Sequence, residues 1–269
     1  SETKSGFGLS YTPYLSKLVN DISLGNLTYF NRINERSAFA VSLRYFSLGE
    51  IEIIQDEFSQ ALIEKPNEMT MDISYSLRLA DQFSMGVALR YLRSDLRIQA
   101  VDETAKAASS YAVDISAYFQ GEEQSYGDVD GRWRAGMIIQ NLGPKIKYDE
   151  SGRETFLPTN LRLGTGFDFL LDQYNKVSVT AEFAKLLVPT PPILGYEYNF
   201  TDNNENGVYD EGIDELGEQT TGDLVVYSGQ TTDVDFLQGV FQSFSDAPGG
   251  FSEELKEFTW ALGAEYVYD

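Results

Sequence analysis

Apolar side chains recur at every second position over most of this chain, and that period leaves few architectures open. From Met69 to Leu79 the odd positions read Met69, Met71, Ile73, Tyr75, Leu77 and Leu79, with Thr70, Asp72, Ser74, Ser76 and Arg78 between them. Phe83-Met85-Val87-Leu89-Tyr91, Phe39-Val41-Leu43-Tyr45, Tyr111-Val113-Ile115-Ala117-Phe119, Leu161-Leu163-Thr165-Phe167-Phe169 and Phe258-Trp260-Leu262-Ala264-Tyr266-Tyr268 obey the same rule. A strand sends successive side chains to opposite faces, so each segment has one apolar face and one small or polar face. The chain is read as all-β.

The pattern predicts ten strands near residues 5–11, 22–31, 36–50, 68–80, 83–98, 110–121, 131–147, 158–170, 176–186 and 257–269. Many exceed the roughly 5 to 6 residues usual in soluble domains and reach the roughly 9 to 11 that a tilted strand needs to cross a bilayer. Their connections alternate. Those at 32–35, 81–82, 122–130 and 171–175 are short or moderate, whereas those at 12–21, 51–67, 99–109, 148–157 and 187–256 are mostly longer. In up-and-down order this puts all long connections at one end, the habit of outer-membrane barrels. The expectation is a transmembrane antiparallel up-and-down β-barrel.

A soluble barrel with its apolar face turned inward shares the alternation. Strand length and loop asymmetry oppose it, and so does the second face, where Gly, Ala and Ser separate charges of both signs such as Arg44, Asp72, Arg90, Asp114, Arg134 and Asp168. A soluble exterior is usually rich in Lys and Glu, while a lumen tolerates small residues and paired charges. Aromatics near the predicted strand ends, among them Tyr29, Phe30, Tyr45, Tyr91, Tyr118, Trp260 and Tyr268, suit interfacial girdles or cross-strand packing. No run of apolar residues is long enough for a membrane-spanning helix.

Composition removes whole classes of chemistry. The chain of 269 residues has no Cys and no His, which excludes disulfides, thiolate sites and Ser-His or Cys-His pairs. No P-loop or G-x-S-x-G motif is present, and a catalytic role is not expected. The net charge of −22 argues against nucleic acid. Residues 187–257 concentrate that charge, with 15 acidic residues against one basic, Lys256.

That stretch is also long for a connection, and long connections are often functional. Two segments break its acidity with stiff or apolar residues: Leu187-Val188-Pro189-Thr190-Pro191-Pro192, and Asp246-Ala247-Pro248-Gly249-Gly250-Phe251 with Glu253 and Glu254 following. Both are read as candidate docking elements, with a fold-back plug as the alternative. Between them Asp202, Asn204, Asn206 and Asp210 match the opening of an oxygen-ligand calcium loop. Ile213 occupies the twelfth position, where a bidentate Glu belongs, with Asp214 and Glu215 just beyond. Calcium is therefore a candidate ligand, against a plain Asn/Asp/Gly turn.

Several stretches carry a family resemblance. Thr12 to Asp21, Leu24 to Tyr29, Phe39 to Ile51, Arg90 to Arg97, Gly131 to Gly136, Asn141 to Tyr148, Leu187 to Pro192 and Asp246 to Glu257 resemble the PorV family of the Bacteroidetes type IX secretion system. The resemblance implies a FadL-like barrel of about 14 strands, about ten of them in this chain, so that 1–269 is an internal portion of one outer-membrane domain with an acidic extracellular loop region at 187–256. It implies no enzymatic activity. It implies a carrier that binds C-terminal signal domains of cargo leaving a SprA (Sov) type translocon and delivers them to a PorU-type attachment complex, with membrane lipid around the wall. A FadL-like transporter of hydrophobic small molecules is the alternative.

Overall fold

The computed structural model describes residues 3–15, 17, 21–54, 61–97, 106–127, 129–148, 152, 154–204, 207, 209–220 and 222–268. Ten long strands lie in one antiparallel sheet in the order of the chain. They are β1 (Ser5–Pro13), β2 (Ile22–Arg32), β3 (Ser37–Leu48), β4 (Asn67–Ala80), β5 (Phe83–Asp95), β6 (Ala108–Gln120), β7 (Val129–Leu142), β8 (Asn160–Leu170), β9 (Asn175–Leu186) and β10 (Phe258–Tyr268). A short strand, Gln124–Tyr126, extends the β6–β7 hairpin along β7. The result is an open up-and-down wall with β1 and β10 at its edges, the order in which a barrel is built.

The ten strands stand where the alternation predicts them, and their ends follow backbone chemistry. β7 was expected to run to residue 147 but stops at Leu142. Asn141 takes a left-handed φ of 59° at a register shift between Ile139 and Leu142, and Pro144 has no N–H to continue a ladder. β3 stops ahead of Gly49, whose φ is 89°. At the short-turn end Asn34 Oδ1 accepts the N–H groups of Arg36 and Ser37, both at 2.9 Å. Asp172 does the same for Tyr174 and Asn175 at 2.8 and 2.9 Å. The Tyr174 N–H, with the Asn175 side chain, holds the Asp172 carboxyl below the usual carboxylate range.

The two faces of the wall decide its orientation. Ile73, Val87, Leu89 and Tyr111 are 51 to 61% exposed on the apolar face, whereas Asp72 and Asp114 on the other are each 7% exposed. A water-soluble barrel would show the reverse. A broad exposed apolar face of this kind needs lipid. The apolar face also carries ring pairs such as Tyr29–Phe39 and the cross-strand pair Tyr91–Tyr111, so exposure and mutual packing occur together among these aromatics.

The polar face is closed by charge layers. Register aligns Ser42, Asp72, Arg90 and Ala112 across β3 to β6. Arg90 pairs with Asp72 and with Asp114 (3.0 Å), and it also donates to Asn141 Oδ1. Nearer the short turns, Asp168 accepts from Arg132 (2.9 Å) and Ser178 (2.8 Å) and forms an ion pair with Arg134 (2.7 Å). Above the first layer, at the end bearing the long connections, Ile146 and Leu157 pack on Ala108 and Ala112. Gly143 makes that close approach possible, since a Cβ there would lie 2.2 Å from the Tyr111 carbonyl oxygen.

Leu187–Phe258 forms a compact unit of its own, separate from Ser1–Leu186 with Thr259–Asp269. It holds two short ladders, Ile193–Gly195 with Val225–Ser228 and Tyr198–Thr201 with Glu215–Gln219. It also holds helix α1 (Phe236–Gln242), helix α2 (Phe251–Glu254) and a following 3₁₀ turn (Leu255–Glu257). The stretch expected only as a loop is thus folded.

Candidate functional site

The two docking segments expected from sequence meet within the Leu187–Phe258 unit, and one residue joins them. Pro189 and Pro191 fix φ on both sides of Thr190, which leaves its N–H and hydroxyl facing away from any ladder of its own. The Thr190 N–H donates to Asp246 Oδ2 at 3.0 Å, and its hydroxyl to Glu257 Oε1 at 2.7 Å. Gly229 lets a third segment approach. A Cβ there would lie 3.1 Å from both the Asp246 carbonyl oxygen and the Pro248 ring, and 3.3 Å from Pro192 Cα. Its φ of 88° also favours glycine. Ser228 Oγ then donates to the Pro248 carbonyl at 2.9 Å.

The second segment is an internally bonded turn. Gly250, at φ 69°, opens α2, and its carbonyl accepts the N–H groups of Glu253 and Glu254 at 3.0 Å each. Glu254 reaches back to accept the Ala247 N–H at 3.2 Å, and Glu253 accepts the Gly249 N–H. Asp235 caps α1 by accepting the Gln238 N–H at 3.0 Å.

The ten predicted residues divide by burial. Pro189, Asp246 and Glu254 are buried and shape the unit from within, while Pro192 and Pro248 are half-buried. Pro191, Gly249, Gly250, Phe251 and Glu253 reach the surface. Phe251 is 77% exposed, and Leu255, one helical turn on, is exposed as well. Sequence reasoning passed over Thr190 and Glu257, and also exposed Tyr227, Leu237 and Phe241. The flanking prolines were the only signal for Thr190. The surface offers large apolar side chains on a fixed, acidic frame.

Asp246 is the unusual group here. It is fully buried, its Oδ1 has no hydrogen-bond partner among the described residues, and Glu254 and Glu257 are nearby. Burial pushes its carboxyl above the usual range, Glu254 and Glu257 add to that, and the Thr190 N–H opposes it. A carboxyl with a raised folded-state pKa contributes stability that is fully present below its unfolded pKa and is lost as pH rises through the folded value. Raising pH from acidic to mildly alkaline should therefore lower the protection factor of the Thr190 amide, its exchange rate taken relative to that of an unstructured amide at the same pH. Asp246→Asn, which keeps an acceptor for Thr190 and gains a donor, should flatten that dependence.

In the calcium-like stretch the carboxylates are engaged by the loop itself. Asp214 accepts the N–H groups of Asn203 (2.8 Å) and Asp210 (2.7 Å), Asp202 accepts that of Gly207 (2.6 Å), and Asp210 accepts from the Asn204 side chain (2.7 Å). Asn206 lies outside the described residues. Among those residues no group of three acids converges as a metal cage, so the calcium reading rests on the sequence spacing alone.

Compared with known families, residues 1–193 match the family described as Type IX secretion system protein PorV. The chain belongs to the PorV family. The match spans β1 to β9 and the proline segment, and it ends at Ile193, ahead of most of the acidic stretch. No functionally curated protein matches the chain. PorV is a family of secretion-system components rather than of enzymes, and its membership agrees with the lipid-facing wall of an outer-membrane protein.

Proposed function

We propose that this PorV-family chain is a non-enzymatic escort in type IX secretion. It captures C-terminal signal domains of cargo as they leave a SprA-type translocon and hands them to a PorU-type attachment complex at the cell surface. The wall serves as a rigid platform in lipid, and the Leu187–Phe258 unit, facing the exterior, supplies the contact. The carrying observation is the exposure of Phe251, Phe241 and Tyr227 (75 to 81%) on a frame locked by Thr190. A merely solubilising loop has no need of such side chains, whereas a docking surface does. The surrounding acidity favours a partner with a basic rim.

The test replaces residues 187–256 by a Gly/Ser linker in the full protein and measures retention of a purified cargo signal domain. Barrel assembly is checked separately by heat-dependent gel mobility. Loss of capture with an assembled barrel is expected, and unchanged capture overturns the assignment. The transporter reading finds less support, because the Asp72–Arg90–Asp114 and Arg132–Asp168–Arg134 layers lie across the polar face that a passing apolar molecule would follow.

A further inference from the structure

The polar face of the wall is too sparsely covered to fill the space in front of it. Its ten long strands exceed the roughly 8 whose own side chains fill a closed barrel, on the way to the roughly 16 to 18 that leave an open channel. Register aligns Ala40, Ser74 and Ala88 in one row on that face, all too short to reach far from the backbone. A wall of this make encloses water unless another segment enters.

The connection between β7 and β8 does enter. Asn141 bends the chain at its left-handed φ of 59°, and Gly143 lets it pass close against β6. The chain then doubles back as a hairpin. Ile146 and Thr155 exchange N–H···O bonds at 2.8 and 2.9 Å, Lys145 lies over the Phe156 ring at 4.4 Å, and Lys147 pairs with Glu154 at 3.5 Å. Its apolar side meets the wall: Ile146 and Leu157, each 4% exposed, sit on Ala108 and Ala112 of the polar face. Further bonds tie both legs down. Ser110 Oγ donates to the Pro144 carbonyl at 3.3 Å and the Lys106 N–H to the Tyr148 carbonyl at 2.8 Å. The Asn141 side chain donates to the Pro158 carbonyl at 3.1 Å.

The cavity beyond the hairpin shows how far it reaches. That space of about 470 Å³ is lined by Tyr148, Phe156 and Leu157 of the hairpin together with Arg44 of β3 and Glu68 of β4. The hairpin is rooted in β7 and β8, so it lies across the polar face of β6 and β5 instead of continuing the line of its own strands. Beneath it stands the Arg90 layer, which also grips the root of the hairpin, since Arg90 donates to Asn141 Oδ1 and Asp114 accepts the Asn141 N–H at 2.8 Å. Two barriers of different chemistry thus follow one another along the polar face, an apolar one and then an ionic one. A segment that only joined β7 to β8 has no need of these inward contacts.

We propose that this hairpin is a constriction that shuts the interior of the protein to small polar solutes, so that the protein crosses the membrane as a wall and not as a pore. A sugar or ion on that path must first displace the Ile146 and Leu157 contacts. It must then shed water against a layer whose donors and acceptors already answer one another, at the full cost of desolvation. The inference is independent of the cargo reading.

Full-length protein is reconstituted into liposomes, and their swelling in isosmotic arabinose is followed by light scattering. Wild type should admit the sugar within about twofold of the rate of protein-free liposomes, whereas Ile146→Asp combined with Leu157→Asp, which drives the hairpin off the wall, should admit it about tenfold faster or more. Replacing residues 144–157 by a short Gly/Ser turn should do the same. Because the chain has no Cys, a water-soluble maleimide reads the displacement directly. Ala112→Cys, at a position 1% exposed under the hairpin, should label about tenfold faster in the double Asp background than alone. Heat-dependent gel mobility verifies that each variant assembles. Rapid swelling with wild type, or an assembled hairpin-replaced protein that still excludes arabinose, overturns the proposal. A lowered urea midpoint in that protein with unchanged swelling also overturns it, and assigns the hairpin to bracing the strands alone.

Discussion

Arg90→Leu should lower the unfolding free energy of the wall by about 3–5 kcal/mol. The Asp72, Arg90 and Asp114 side chains are only 9, 14 and 10% exposed, so removing the guanidinium strands two carboxylates away from water. The damage reaches further than two ion pairs. Asn141, in its left-handed turn, accepts from Arg90 and donates its N–H to Asp114 Oδ1 at 2.8 Å. Thr159 Oγ1 in turn donates to the Asn141 carbonyl at 2.9 Å, which ties the start of β8 to the end of β7. Urea titration of the purified protein in detergent, followed by gel mobility, measures the cost. Arg90→Leu combined with Asp72→Asn and Asp114→Asn should recover most of it, because the penalty lies in the unpaired charge. A loss below about 1 kcal/mol in the single variant would mean that water reaches the layer freely.

The second large effect concerns capture. Phe251→Asp combined with Leu255→Asp should weaken retention of a cargo signal domain by about thirtyfold or more, the scale of losing an apolar anchor at the centre of an interface. Both side chains are exposed, so the unit should keep its fold, and unchanged hydrogen exchange at Thr190 would verify that. Glu218→Gln, an exposed acid on the same unit, should change capture by less than about threefold and mainly through its salt dependence. Capture that survives the double Asp variant would move the contact elsewhere on the protein.

The wall was legible because its information is local. Alternation over Met69 to Leu79 or Phe83 to Tyr91 states both strand and face, and the asymmetry of the connections states the order. The lipid-facing side followed from the small residues and mixed charges on the opposite face. Other features depend on partners far away in sequence. Thr190 and Asp246 are 56 residues apart, so neither announces the other. Period two places Arg44 and Arg90 on one face but says nothing about which finds a carboxylate. The early end of β7 came from Asn141, whose left-handed backbone is not visible in its apolar neighbours. The acidic stretch was expected as one long loop with two docking elements, because its high charge hides the short ladders and helices that fold it.

Each wall strand pairs only with those beside it in the chain, so assembly can proceed like a zip fastener, hairpin after hairpin, at low topological cost. The one long interruption falls between β9 and β10, which are neighbours in the sheet although residues 187–257 intervene. Loop-closure entropy grows only with the logarithm of length, so this insertion burdens equilibrium little. Its toll is kinetic. The β9–β10 pairing must wait while some seventy residues are kept from trapping β10, which makes the self-contained folding of that insert a condition for that pairing.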